Sequence, residues 1–261
     1  MLDAGGLVVL PTETVMGLAA SAASSEGMDR LWRVMGGGDA SKARREPLAW
    51  HVSDVERLLG VVGELPALHR RVIERLAPGP ALFAIEMEPR KLAGIRAALG
   101  LPEGVIDNGS ALLARVPSNP GAMAVLREAM RPVVVAGVPV ARPEHLHYAL
   151  DAWAALRSAG LSDLIGACVD APPAPLGVPS TLIRLRRDGG FEIARRGAYE
   201  ERYVRRRIER SILFVCTGNT CRSPMAAALA RHLLAAGGGA ADGIPTRMES
   251  AGKSGHRRKP I

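Results

Sequence analysis

Aromatic residues are scarce in this chain, at 3% of 261 residues. That shortage argues against an extended stacking platform for single-stranded nucleic acid. Cysteine is nearly absent: Cys168, Cys216 and Cys221 cannot build a disulfide framework. No uncharged apolar run approaches the roughly 18 residues of a membrane span. The N-terminal apolar stretch Leu7 to Leu10 is too short for a signal peptide and has no basic residue before it. These absences point to a cytoplasmic protein with no membrane partner. What remains is 48% hydrophobic and 23% charged, the balance of a globular chain rather than a disordered one.

Charge is unevenly placed. The net charge is +8, yet residues 1–205 hold 24 Lys/Arg against 23 Asp/Glu. Residues 206–261 hold 10 against 3, so the basic character belongs to the tail.

Apolar patterning predicts an α/β class, with strands and helices alternating along the chain. Strands are expected at Gly6 to Leu10, Leu48 to Val52, Leu82 to Met87 and Ala111 to Val116. Further strands are expected at Val133 to Ala136, Leu164 to Val169 and Leu182 to Leu185, the last in a hairpin with Phe191 to Ala194. Helices are expected at Gly27 to Val34, Asp54 to Leu59 behind a Ser53 N-cap, Leu65 to Leu76, Gly121 to Met130 and His145 to Ser158. Met35 to Arg45 reads as a glycine-rich basic loop. The charged stretch 198–210 reads as a linker or linker helix. A new strand, Ile212 to Val215, precedes a loop, the helix Pro224 to Ala236, and a further strand near Arg247 to Ser250. The expected units are residues 1–200, a linker over 201–210, and a segment over 211–261.

Two constellations carry chemistry. The first is dispersed. Pro11-Thr12-Glu13-Thr14-Val15-Met16-Gly17-Leu18 follows a strand, where hydroxyls and a glycine can bring backbone amides to an anion. His51 follows Pro47-Leu48, Pro78-Gly79-Pro80 precedes a strand, and Arg115-Val116-Pro117 ends another. Gly177-Val178-Pro179-Ser180-Thr181 begins a strand, and Arg195-Arg196-Gly197 closes the set. In this order and spacing the motifs resemble the YrdC-like threonylcarbamoyl-AMP synthases, over about residues 5–200.

The resemblance implies a twisted mixed sheet, with helices around it, enclosing a positively lined cavity. It implies condensation of L-threonine, bicarbonate and ATP into threonylcarbamoyl-adenylate, with release of pyrophosphate, for tRNA threonylcarbamoyladenosine modification. tRNA or tRNA-modification proteins would be partners. Mg²⁺ would ride on the triphosphate, with no protein-bound metal site. By motif, Thr14, His51, Arg115 and Ser180 would contact threonine or an anion, and Arg195 would face the nucleotide. The sequence departs from the family pattern at Met16, where an aromatic is usual, and at Met35-Gly36-Gly37, where Lys-x-Arg is usual. Lys42 and Arg44 would supply those charges if the loop shifts. Gly137-Val138-Pro139 replaces Ser-Ala-Asn, removing two polar side chains and, at proline, a donor. The alternative is a non-catalytic YrdC-like module that binds nucleotide or RNA.

The second constellation is contiguous. Ile212 to Val215 runs into Cys216-Thr217-Gly218-Asn219-Thr220-Cys221-Arg222-Ser223-Pro224 and then a helix. Five residues between cysteine and arginine let a loop aim its amides at one phosphate, and the helix N-terminus adds its dipole. The same field favours the Cys216 thiolate. Arg222 can clamp two phosphoryl oxygens, and the Ser223 hydroxyl can donate to the thiolate. This segment resembles the low-molecular-weight protein-tyrosine and protein-arginine phosphatases. The likeness makes Cys216 the nucleophile, Arg222 the transition-state clamp, and Cys221 a protective disulfide partner. Thr220 leans toward the arginine-phosphatase branch, and Ala227 stands where an acid is common. That family needs about three times the length seen here, and its general acid is a distant downstream aspartate. The expectation is therefore an incomplete phosphatase segment without turnover, part of a broken two-domain fusion.

Overall fold

The computed structural model describes residues 1–43, 46–139, 148–171 and 176–253. It is built around one nine-stranded mixed sheet. In chain order the strands are β1 (Leu7–Pro11), β2 (Met16–Ser21), β3 (Ala49–His51), β4 (Ala81–Glu86), β5 (Ala111–Arg115), β6 (Val133–Gly137), β7 (Ile165–Cys168), β8 (Thr181–Leu185) and β9 (Phe191–Arg195). In space they run β7-β1-β2-β6-β3-β5-β4-β8-β9. The pairs β1–β7, β3–β5 and β4–β8 are parallel; the other neighbours are antiparallel.

Strand β1 shows why the sheet is buried on both faces. Alternate side chains of a strand point to opposite faces. Leu7 and Val9 join the larger core, while Val8 and Leu10 join a smaller one. The larger core receives α1 (Ser25–Met35), α2 (Val55–Val62), α3 (Ala67–Leu76), α4 (Pro89–Leu99) and α6 (Ala149–Ser158). Helix α5 (Pro120–Glu128) covers the smaller one with Ala122 and Leu126. An uninterrupted buried run such as LVVLP is the signature of a two-sided strand.

Helix starts follow capping chemistry. Ser24 caps α1 by accepting from Gly27 N at 3.1 Å. Asp54, rather than Ser53, caps α2: its Oδ1 accepts from Arg57 N at 2.7 Å. The Ser53 hydroxyl instead donates to Asp54 Oδ2 at 2.7 Å. Two elements lie outside the sequence expectation. Met16–Ser21 is a full strand, because the motif Pro11 to Leu18 is a tight hairpin and not an open loop. Pro89–Leu99 is a helix with proline in its first turn.

The charged stretch after β9 forms α7 (Glu201–Ile208), whose Val204 and Ile208 enter the main core. Burying two such side chains contributes about 1.5–3 kcal/mol each. Arg71 on α3 secures the end of α7 by donating to Ile208 O at 2.6 Å and Glu209 O at 3.0 Å. A separate two-stranded parallel sheet follows, β10 (Arg210–Cys216) with β11 (Thr246–Gly252), and α8 (Arg222–Ala236) packs on it through Ser223 and Ala227. Ile244, just before β11, packs into the main core. The rest of this segment leaves Leu213, Val215, Met225, Leu229 and Leu233 exposed. Among the described residues no helix is long and apolar enough to cross a membrane.

Candidate functional site

The dispersed motifs meet in one cavity of about 370 Å³. Its polar lining is Thr12, Thr14, His51, Arg115, Ser180 and Arg195; its apolar lining includes Met16, Met35, Leu82 and Val138. Sheet register accounts for the convergence. His51 and Arg115 are direct partners across β3–β5, the last residues of two parallel strands. Arg195 pairs with Leu182, two residues from Ser180, and its Nη2 donates to Ser180 O at 3.2 Å. A Cβ on Gly197 would overlap the Pro179 oxygen and the Ser180 backbone, so glycine is required for this close approach.

The hairpin turn is held by its own hydroxyls. Thr12 Oγ1 accepts from Thr14 N and Val15 N, each at 3.2 Å, and lies 2.9 Å from Thr14 Oγ1. Arg115 is buried, and its Nη2 donates to Glu13 Oε1 at 2.7 Å and to Thr14 Oγ1 at 3.0 Å. Among the described residues its Nε has no partner. His51 is buried as well. A carbonyl can only accept, so His51 Nδ1 carries the proton and donates to Ala49 O at 3.0 Å. That tautomer leaves Nε2 as a buried acceptor without a partner among the described residues. Burial, and then the neighbouring Arg115 charge, push the imidazole down to about 3. The ring is neutral at physiological pH.

The cavity thus contains a guanidinium edge, a neutral imidazole lone pair, three hydroxyl-bearing residues and a second guanidinium on an exposed residue. Such a set suits a small ligand with a carboxylate or phosphate and hydrogen-bond donors. Thr14, His51, Arg115, Ser180 and Arg195 all line it. Lys42 does not. Asp39 caps the short 3-10 turn Ala40–Lys42 through Ser41 N and holds the Lys42 ammonium at 3.5 Å, leaving that side chain exposed. Arg44 lies outside the described residues. Met35 lines the cavity where the resemblance would have a charged group. Of Gly137-Val138-Pro139, Gly137 and Val138 line it, and Val138 N donates to Met16 O at 3.2 Å.

Glu13 is the residue the sequence reading left without a role. It stands 102 positions from Arg115, and no spacing rule connects the two. A larger open groove of about 900 Å³ lies between α2, α3 and α5, with acids and arginines mixed along it. None of the described site residues lines it.

The contiguous motif folds as its spacing predicts. Cys216 closes β10, and α8 starts at Arg222. Asn219 takes a left-handed φ of 49° at the loop's turn, a conformation asparagine tolerates. Its backbone N–H donates to Cys216 Sγ at 3.1 Å. Ser223 Oγ lies 2.9 Å from Sγ and 2.8 Å from Asn219 Oδ1. The Ser223 hydroxyl first, and then the loop amides, bring the thiol down to about 7. Arg222 Nη2 donates to Thr217 Oγ1 at 3.5 Å, and both Arg222 and Cys221 are exposed. Thr217, Gly218, Asn219, Thr220 and Cys221 form the loop itself, and all three cysteines are free thiols.

Fold and site define a class first: an α/β domain whose mixed sheet carries an arginine-containing cavity, followed by a strand–loop–helix anion loop. Residues 1–197 match the Sua5–YciO–YrdC family model, described as "Telomere recombination", and the chain belongs to that family. Residues 211–261 match the model of the low molecular weight phosphotyrosine protein phosphatases. The threonylcarbamoyl-AMP synthase of Bacillus subtilis (strain 168) is 28% identical over 189 residues, 70% of this chain and 47% of that protein. The synthase of Pyrococcus abyssi is 26% identical over 189 residues, 69% and 47%. The chain therefore spans about half the length of these curated relatives. Among solved structures, P. abyssi Sua5 complexed with L-threonine superposes with a TM-score of 0.59 at 15% identity, covering 96% of this chain and 86% of that one. E. coli YciO superposes at 0.55 and 17%, covering 76% and 86%. At these identities the superpositions establish the fold.

Proposed function

We propose that this chain is an L-threonylcarbamoyladenylate synthase, a nucleotidyltransferase that condenses L-threonine, bicarbonate and ATP for tRNA threonylcarbamoyladenosine modification. One observation carries the reading: Thr14, His51, Arg115, Ser180 and Arg195, from separate segments, line a single cavity. Two relatives named threonylcarbamoyl-AMP synthase support it.

In this reading the threonine nitrogen takes up the bicarbonate carbon with loss of water. A carbamate oxygen then attacks the α-phosphorus of ATP, and pyrophosphate leaves. No side-chain nucleophile is required; the protein supplies position and charge. Arg115 holds the amino-acid carboxylate through its free guanidinium edge. His51 Nε2 and the hydroxyls of Thr14 and Ser180 accept hydrogen bonds from the amino acid, and Arg195 faces the phosphates. Mg²⁺ enters with the triphosphate as part of the substrate. Among the described residues no cluster of three His, Cys, Asp or Glu could hold a metal. Residues 1–200 form the synthase unit, 201–210 join it to the tail, and 211–261 form the phosphatase-like segment.

The test is formation of threonylcarbamoyl-adenylate from the three substrates. Product that disappears in Arg115→Ala supports the reading. Folded protein that makes none rejects it, and favours the non-catalytic nucleotide- or RNA-binding module.

A second reading concerns the tail alone. The lowered Cys216 thiol beside Ser223 favours a thiolate-bearing phosphate loop. Hydrolysis of a phosphoaryl ester, abolished by Cys216→Ser, would extend that reading to phosphatase turnover.

A further inference from the structure

Glu13 does not line the cavity; Arg115 does. The acid lies behind the guanidinium, and both side chains are almost fully buried, 10% and 7% exposed. Each carboxylate oxygen has its own donor: Oε1 accepts from Arg115 Nη2 at 2.7 Å, and Oε2 from Ser118 N at 3.1 Å. The acid is therefore fixed from two sides, and it fixes the arginine in turn. Nη2 is committed to Glu13 and Thr14, whereas the buried Nε of this cavity-lining residue has no partner among the described residues.

The pair also sets the charge. Arg115 and Arg195 are the two cations in the described cavity lining. Glu13 cancels the one at the buried end, so that end presents a dipole rather than a net cation. A bare polyanion gains little there. A zwitterion places its carboxylate at the guanidinium, and its ammonium meets less repulsion from the cancelled Arg115 charge than from a bare one, with the neutral His51 Nε2 as an acceptor.

We propose that Glu13 is the specificity-determining partner of Arg115: it makes the buried end of the cavity select a zwitterionic amino acid over a phosphate, leaving polyphosphate to the Arg195 end. This deepens the synthase reading and rests on it for the identity of the amino acid. Glu13 acts through Arg115 and is a positioning residue.

The experiment is calorimetric titration with inorganic pyrophosphate and with L-threonine, on the unaltered chain, Glu13→Gln, Glu13→Asp and Glu13→Gln/Arg115→Ala. Glu13→Gln should bind pyrophosphate about tenfold more tightly and L-threonine more weakly, and pyrophosphate should become competitive with L-threonine. Glu13→Asp keeps the charge and should stay near the unaltered chain, which separates charge from any folding defect seen in a melting curve. The gain in pyrophosphate affinity should vanish in the double variant, because the effect runs through Arg115. Unchanged pyrophosphate affinity in Glu13→Gln overturns the proposal. So does equal tightening without Arg115, or an unaltered chain that binds neither probe. A chain that makes no adenylate but shows the charge-dependent switch keeps this proposal and rejects the synthase. A chain that makes adenylate with Glu13→Gln unchanged does the reverse.

Discussion

Arg115 and Cys216 are each the last residue of a strand, and each stands where an anion can be held. Their surroundings are built from opposite materials. Arg115 is buried and ion-paired, in a cavity whose walls come from six strands of the main sheet and the segments beside them. Cys216 is half-exposed in a loop made almost wholly of neighbours in sequence, where Ser223 and the Asn219 amide set its charge. The first site draws strength from burial, where charges interact strongly and unpaired groups are costly. The second draws on loop amides and a helix start, which need no deep core. The consequence is an asymmetry in fragility. Disturbing the cavity strikes the fold as well as the chemistry, whereas the loop can lose its chemistry with the fold intact.

The largest expected effect tests that asymmetry directly. Arg115→Ala should abolish adenylate formation and also destabilise the domain by about 3 kcal/mol, because Glu13 is left buried and unpaired. Urea denaturation alongside the activity assay checks both, and adding Glu13→Gln should return part of the stability but none of the activity. A single variant that stays fully stable would remove the contrast.

The next effect is a pH dependence. His51 in the fold titrates near 3 against 6.5 when unfolded. The unfolded chain therefore binds this proton first, and stability present above pH 6.5 falls as the pH drops toward 3. By pH 5 the loss from this group is about 2 kcal/mol. Denaturation midpoints at pH 7 and pH 5 measure it, and His51→Gln should flatten the difference. An equally steep fall in His51→Gln would place the acid sensitivity elsewhere.

At the loop the expected change is one of reactivity. Alkylation of Cys216 by iodoacetamide should show a midpoint near pH 7, and Ser223→Ala should move it up toward an ordinary thiol. A midpoint that stays put would remove the hydroxyl as the main cause. The smallest effect expected is none: Cys216→Ser should leave L-threonine binding in the cavity unchanged. A measurable loss would mean that the two regions are coupled, and the Arg71 contacts to Ile208 O and Glu209 O would be the first place to look.

Legibility followed the distance between residues that act together. The loop from Cys216 to Ser223 was readable because its spacing alone fixes the geometry. The cavity residues were readable one by one, by resemblance, yet nothing in the chain joins Glu13 to Arg115. Strand β2 was missed because its motif reads as turn chemistry; pairing with β1 and β6 on both sides makes it a strand. Lys42 was an expected charge for the cavity. Local capping by Asp39 is stronger than a similarity of motif, and it holds the side chain in solvent.

Read along the chain alone, the residues gave up the α/β class, the phosphate loop and, through motif resemblance, the family; the one N-cap expected, Ser53, passed to its neighbour Asp54. The class and the loop rest on periodicity, propensity and short-range spacing, which act within a few residues; the family rests on a resemblance of motifs strung from Pro11 to Gly197. The tertiary structure decided which strand lies beside which. It thereby brought His51 next to Arg115, buried Glu13 behind the guanidinium, silenced the imidazole charge and anchored α7 in the core. Burial and pairing between distant segments are collective: a side chain's charge and partners depend on everything packed around it, and that is written only in three dimensions.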